Sequence, residues 1–220
     1  MKKIMFNDRY GLTQAVLNGT KTMTRRLVPD SILNKVGEYQ QYYYEGALDT
    51  INEQEAILMM ITYERMLRTA YRVGEVVAVA QPYKDIATTH HFIETCLANE
   101  WSLDYRDAGW NNSLFVKPCL MPHQIRITDI KVERLQDISD EDCLKEGIIA
   151  GELKHSPKKE FVLQPLPYGC WVPYSFYGAS EDYYNPREAF AALINRPGVG
   201  RKGLWAENPL VVAYSFELVK

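Results

Sequence analysis

Within Gly19-Thr20-Lys21-Thr22-Met23-Thr24-Arg25-Arg26 the chain gathers a lysine, two arginines and three threonines. A lysine amine becomes a base near neutral pH only where burial or a neighbouring cation destabilises the ammonium. A threonine hydroxyl attacks a carbonyl only when a base takes its proton. The residues by themselves read as a site for a polar ligand bearing a phosphate or a nucleobase, which these cations and hydroxyls can hold. Glu146 is another candidate. Ser139 caps a short helix whose first-turn acids, Asp140, Glu141 and Asp142, suit the helix dipole, but Glu146 sits at the far end before Gly147, where a carboxylate gains nothing from it. Such a carboxylate can orient a lysine or shuttle a proton. The plainer alternative for the first segment is a solvated edge strand with its cations on the surface.

Positioning falls to the flanking elements. Asp8 to Asn18 carries Leu12, Ala15, Val16 and Leu17 at helical spacing, and Gly19 stands where a left-handed cap is expected. Thr20 to Val28, rich in Thr and charge, reads as a strand with one wet face that would turn Lys21, Thr24 and Arg26 toward a shared cleft. In a regular strand Lys21 and Thr24 point to opposite faces. They converge only if the chain bends near Thr22 or Lys21 belongs to the turn.

The run Ile4-Met5-Phe6, then Ala15 through Arg26, resembles the opening signature of the ASCH domain family, whose fold is similar to that of RNA-binding PUA domains. Val73-Gly74-Glu75-Val76-Val77-Ala78-Val79 resembles the family's Gly-Asp/Glu strand, and Met121-Pro122 through Ile138 its central strand. Leu204-Trp205 and Asn208 through Glu217 resemble its closing strand, and the set is most similar to the longer members from phages and bacteria. Where those members carry an Arg-Glu-Thr-Trp-like run, this chain has Ala80-Gln81-Pro82-Tyr83. The resemblance implies an α+β fold, a small PUA-like mixed β-barrel with helices packed outside and long helical and loop insertions. Its expected strands lie near Lys3 to Phe6, Lys21 to Leu27, Val76 to Gln81, Gln124 to Arg134 and Leu210 to Leu218.

Some small family members remove the acetyl group of N4-acetylcytidine with a lysine, a threonine and a glutamate. The motif match places these on Lys21, Thr24 and Glu146 as catalytic residues, with no cofactor. The alternative is a non-catalytic module for RNA or a modified nucleotide. There Arg25, Arg26 and Lys21 would meet phosphate, and Tyr83 or Trp205 would stack on a base.

Composition bounds these readings. With 220 residues, 46% of them hydrophobic, and no low-complexity linker, the chain reads as a single domain over 1–220 with insertions at about 28–72, 84–118 and 151–203. A net charge of -3 excludes a global basic field for nucleic acid but leaves room for a local basic pocket. Without a cleavable signal or a membrane-length apolar run, a cytoplasmic location is expected. Cys96, Cys119, Cys143 and Cys170 lack metal or redox spacing, and His90, His91, His123 and His155 form no ligand pattern. No metal is expected, and the cysteines read as reduced and mostly buried.

The first insertion, from Pro29 through Tyr42-Tyr43-Tyr44 and Ile51 to Met60 and on to Tyr71, reads as one long helix with its Met and Tyr residues in the core. The second holds a helix around His91 to Asn99 and a loop with Trp101, Tyr105 and Trp110, placed to act as a lid. The third starts a helix after Asn185-Pro186. Its Gly198-Val199-Gly200-Arg201-Lys202-Gly203 imitates a dinucleotide fingerprint but follows a helix and leads toward the Trp205 strand. A loop that offers Arg201 and Lys202 to phosphates fits better.

Overall fold

The computed structural model describes residues 1–47, 50–63, 71–151 and 174–219. The strands in chain order are β1 (Lys3–Ile4), β2 (Met23–Leu27), β3 (Val76–Val79), β4 (Gln124–Arg134), β5 (Ile149–Ala150), β6 (Tyr174–Ser175) and β7 (Leu210–Val219). The helices are α1 (Leu12–Leu17), α2 (Asp30–Leu33), α3 (Val36–Ala47), α4 (Glu53–Thr62), α5 (Tyr83–Ile86), α6 (His90–Ala98), α7 (Asp140–Lys145), α8 (Pro186–Ile194) and α9 (Leu204–Glu207). The fold is α+β, and each of the five expected strands is found with its boundaries shifted by no more than two residues.

Those five strands form one mixed sheet in the order β1-β3-β4-β7-β2, with β1 parallel to β3 and every other pair antiparallel. The sheet does not close by strand pairing. Instead its two edge strands are bridged by a side chain, Arg26 Nη2 donating to the Met5 carbonyl just beyond β1 at 2.6 Å.

β4 shows how the sequence keeps one face inward over eleven residues. Ile125 and Ile127 are buried at period two, but the next buried positions are Ile130 and Val132, a change of parity. The register against β7 slips between Ile127 and Asp129, so Thr128 is an extra, bulged residue that restores the inward face. β3 is buried on both faces. Val77 and Val79 join the main core, whereas Ala78 and Ala80 face a smaller core made by the second insertion with Tyr83, Ile86, Phe92, Val116, Leu120 and Met121.

The helical expectations fare unevenly. α6 and α8 lie where predicted, α6 capped by Thr89 and α8 by Asn185 with Pro186 in its first turn. The single long helix of the first insertion is replaced by α2, α3 and α4. Asn52 and Glu55 close a capping box that starts α4 afresh, and such a box needs an extended residue at the cap, which interrupts any helix running through it. Residues 48–49 and 64–70 of that insertion lie outside the described residues. Met60 is core as expected, but Tyr42 and Tyr44 face outward. Trp205 is on α9 rather than on a strand, because Gly203 and Asn208 both take left-handed backbone angles and set off a single helical turn before β7. Cys96 and Cys143 are buried and Cys119 is exposed, while Cys170 and His155 lie outside the described residues. No helix among the described residues is long and apolar enough to cross a membrane.

Candidate active site

A cleft of about 450 Å³ opens between the unpaired edges of the sheet, within the roughly 300–1,000 Å³ range of small-molecule sites. Lys21, Thr24, Arg25 and Glu146 line its depth. Phe6, Leu12, Phe190, Leu193 and Ile194 supply apolar wall, and Asn7, Arg9, Arg26 and Asn111 to Leu114 line it as well.

Local backbone geometry brings Lys21 to Glu146. After α1, Gly19 adopts φ +73°, and the amides of Thr20 and Lys21 both donate to the Ala15 carbonyl at 2.9 Å, so Lys21 belongs to the turn. Thr22 N then donates to the Lys145 carbonyl at 2.9 Å, which ties this turn to the end of α7. β2 starts only at Met23. The alternation that would have separated Lys21 from Thr24 therefore does not apply, and both line the same cleft.

The floor is ionic and nearly dry. Lys21 is 2% exposed and Glu146 5%. Lys21 Nζ donates to Glu146 Oε2 at 2.6 Å, to the Glu146 carbonyl at 2.7 Å and to the Met23 carbonyl at 2.7 Å, so three acceptors meet the three protons of an ammonium. Burial pushes the Lys21 pKa below its ordinary value; Glu146 pulls the other way, and Arg26 and Arg25 reinforce the burial. Thr24, 5% exposed, lines the cleft with a hydroxyl that forms no hydrogen bond among the described residues. The Phe6 ring lies 5.8 Å from Lys21 Nζ and packs on Phe216, shielding the amine on that side.

Arg25 turns inward instead of meeting a ligand phosphate. Its guanidinium reaches Glu133 Oε1 at 2.6 Å, Glu146 Oε1 at 3.0 Å and Asp142 Oδ2 at 3.1 Å. Burial opposes the Arg25 charge, but Glu146 and Glu133 outweigh it and raise its pKa. Lys131 closes the network on Asp142 at 2.7 Å and Glu133 at 3.0 Å, and Lys145 adds a contact to Asp142 at 3.2 Å. Burial would raise the Asp142 carboxyl, yet Lys131, Lys145 and Arg25 hold it below the usual carboxylate value. Glu146 is thereby clamped, with one oxygen on Arg25 and the other on Lys21.

The two aromatic candidates are elsewhere. Tyr83, 2% exposed, belongs to the smaller core, where its hydroxyl accepts from Lys117 N at 2.8 Å and its ring leaves no room for a Cβ on Gly109. A ring packed on both sides cannot stack on a base. Trp205 sits edge-on to Phe190 with centroids 6.1 Å apart and does not line the cleft. Arg26 does line it, exposed, with Nη2 on Met5. In the glycine loop, Arg201 pairs with Glu207, and it is Gly198 and Val199 that reach the cleft. Gly198 (φ +85°) lies against Asn7 and Gly200 against the Ile194 carbonyl, so those glycines serve close packing. From the second insertion Asn111 to Leu114 reaches the cleft, while Trp101 and Trp110 pack on the smaller core and Tyr105 is exposed. Lys3 holds this segment to β1, donating to the carbonyls of Leu114 at 2.5 Å and Val116 at 2.8 Å.

Sequence reasoning missed Glu133, Asp142, Arg9 and Asn111. For Glu133 a signal existed in the β4 alternation, which puts it opposite the core-facing Val132. Asp142 was hidden behind its role as a first-turn acid. Among the described residues, no group of three or more His, Cys, Asp or Glu side chains is placed to hold a metal ion. Comparison with protein-family models, curated proteins and solved structures returns no match.

Proposed function

We propose that the chain is an amidohydrolase that deacylates N-acylated pyrimidine nucleosides of the N4-acetylcytidine type, with Thr24 as nucleophile, Lys21 as base and Glu146 as proton shuttle. The observation that carries this reading is that the buried Lys21–Glu146 pair lines the same cleft as the Thr24 hydroxyl, which has no hydrogen-bond partner among the described residues. In this reading the open sheet is a relative of the PUA-like barrel and the chain a member of the ASCH family, the cleft lying between the unpaired edges of β1 and β2. The cleft volume and apolar walls suit a nucleobase with a short acyl group.

The protons balance without an outside reagent. Lys21 passes a proton to Glu146 across their 2.6 Å contact, and the neutral amine takes the Thr24 proton as Oγ1 bonds to the acyl carbon. The developing oxyanion needs hydrogen-bond donors, which backbone N–H groups lining the cleft can supply. Collapse breaks the acyl C–N bond, and Glu146 returns its proton to the leaving nitrogen, restoring ammonium and carboxylate beside an acyl-threonine ester. Water then repeats the cycle: Lys21 again loads Glu146, deprotonates the attacking water, and Glu146 protonates the departing Thr24 oxygen.

A second reading, non-catalytic binding of RNA or a modified nucleotide, is favoured by one observation. All three Lys21 protons already have acceptors, which suits a permanent ion pair. Release of cytidine and acetate from N4-acetylcytidine by the purified protein separates the two. On the first reading Thr24→Ala lowers turnover by at least about 10³-fold. Absence of turnover by folded wild-type protein that still binds cytidine selects the second.

A further inference from the structure

The charge that the cleft presents at its exposed end has a different source from the one its sequence advertises. Arg25 and Lys21 are consumed by Glu133, Asp142 and Glu146. Among the described residues, the exposed ionisable side chains lining the cleft are Arg9, Arg26 and Asp8. Asp8 accepts the Thr13 hydroxyl. Arg9 has no hydrogen bond or ion pair through its guanidinium among the described residues, and that group lies 5.8 Å from the centre of the Tyr10 ring. Its backbone is fixed nonetheless: Arg9 N donates to Asn7 Oδ1 at 2.9 Å, and Gly11 N closes the turn on the Asp8 carbonyl at 3.0 Å. Arg26 spends Nη2 on Met5, and its other donors have no partner among the described residues. A protein of net charge -3 thus places two guanidiniums, on separate elements, in a cleft whose deeper cations are neutralised.

We propose that Arg9 and Arg26 form an anion subsite at the cleft mouth, so that the ligand is a phosphorylated pyrimidine nucleoside with its base on the Lys21–Thr24 floor and its phosphate on the two guanidiniums. Forked guanidinium donors match phosphate oxygens, and with two guanidiniums against the single Asp8 carboxylate the exposed charge of the cleft is net positive, which concentrates anions there. The inference deepens the nucleoside reading above and rests on it for the identity of the buried half of the ligand. The phosphate can belong to a free nucleotide or to a phosphodiester of a single strand.

Calorimetric titration of the full chain with cytidine, cytidine 5′-monophosphate, a short single-stranded oligocytidylate and pyrophosphate tests this. The monophosphate is expected to bind at least about tenfold more tightly than cytidine. Arg9→Ala should pull the ratio of those two affinities back toward one, and Lys35→Ala, a surface change outside the cleft, should leave the ratio as it is. A strand that binds more tightly than the monophosphate identifies a phosphodiester as the source, and the reverse order identifies the free nucleotide. Equal affinities for cytidine and its monophosphate overturn the subsite while the nucleoside reading stands. Arg9-dependent binding of pyrophosphate with no binding of cytidine in any form overturns the nucleoside reading and keeps the subsite. Absence of all binding removes both.

Discussion

Around Lys21 the protein takes Lys21, Arg25, Asp142 and Glu146, and nearly all of Glu133, out of water together, whereas around Tyr83 it gathers a cluster of buried hydrophobic side chains with no ion pair inside it among the described residues. The first region gains little from burying charge, because desolvation offsets most of the Coulombic attraction. The second is stabilised mainly by buried area and close packing, with the Lys117 N to Tyr83 hydroxyl hydrogen bond beside them. The difference separates their tasks. The ionic floor holds Lys21 and Glu146 at the cleft, while the apolar plug anchors the second insertion so that Asn111 to Leu114 arrives at the same cleft.

The largest effect expected from that contrast is in the floor. Arg25→Met leaves three carboxylates without their shared partner and should cost about 3–5 kcal/mol, read as a fall in the urea midpoint at constant slope. Adding Glu146→Gln to it should cost less than the two single changes summed, since they share one network. If Arg25→Met proves neutral, the floor is wet and the contrast fails.

In the plug the response is steric. A Cβ on Gly109 would stand 2.4 Å from Tyr83 Cε2, so Gly109→Ala should cost about 1–3 kcal/mol by the same measurement. Tyr83→Phe, which strips Lys117 N of its acceptor, should cost about 1 kcal/mol and leave ligand affinity alone. A loss of affinity in Tyr83→Phe would instead put that ring back in the site.

The smallest effect is in pH dependence. Because Lys21 holds its proton less tightly when folded, the unfolded chain carries more protons between the native Lys21 pKa and 10.5, and stability rises with pH across that window. Asp142 acts at the other end: its folded value is below 3.8, so its contribution is present above 3.8 and is lost as pH falls through the folded value. Urea midpoints collected against pH should show the alkaline rise flattened in Lys21→Met and the acid loss reduced in Asp142→Asn.

The strands were legible because β-branched runs and turn residues fix them locally. The nearness of Lys21 to Thr24 follows from their short separation in sequence, whereas the reach of Glu146 to Lys21 depends on how α7 docks against the turn before β2. The partners of Arg25 were not legible, because Glu133 and Asp142 meet it only through the pairing of β2 and β4 with β7 and the docking of α7. Tyr83 misled for a related reason. An aromatic after a strand end looks the same whether the chain turns toward the cleft or away from it, and Ala78 and Ala80, small enough to admit a second core, decide that it turns away. Trp205 was set by two left-handed residues, Gly203 and Asn208, of which only the glycine announces such a conformation.

The bridge from Arg26 to the Met5 carbonyl has a consequence for how the molecule keeps its own company. A sheet edge with unpaired backbone groups is a template for a strand from another chain, and aggregation begins there. Here one edge, β1, is only two residues long, and the other, β2, lies within a side chain's reach of the residue that follows it. Each edge therefore blocks the approach to the other, and the cleft between them is too well guarded to admit a strand.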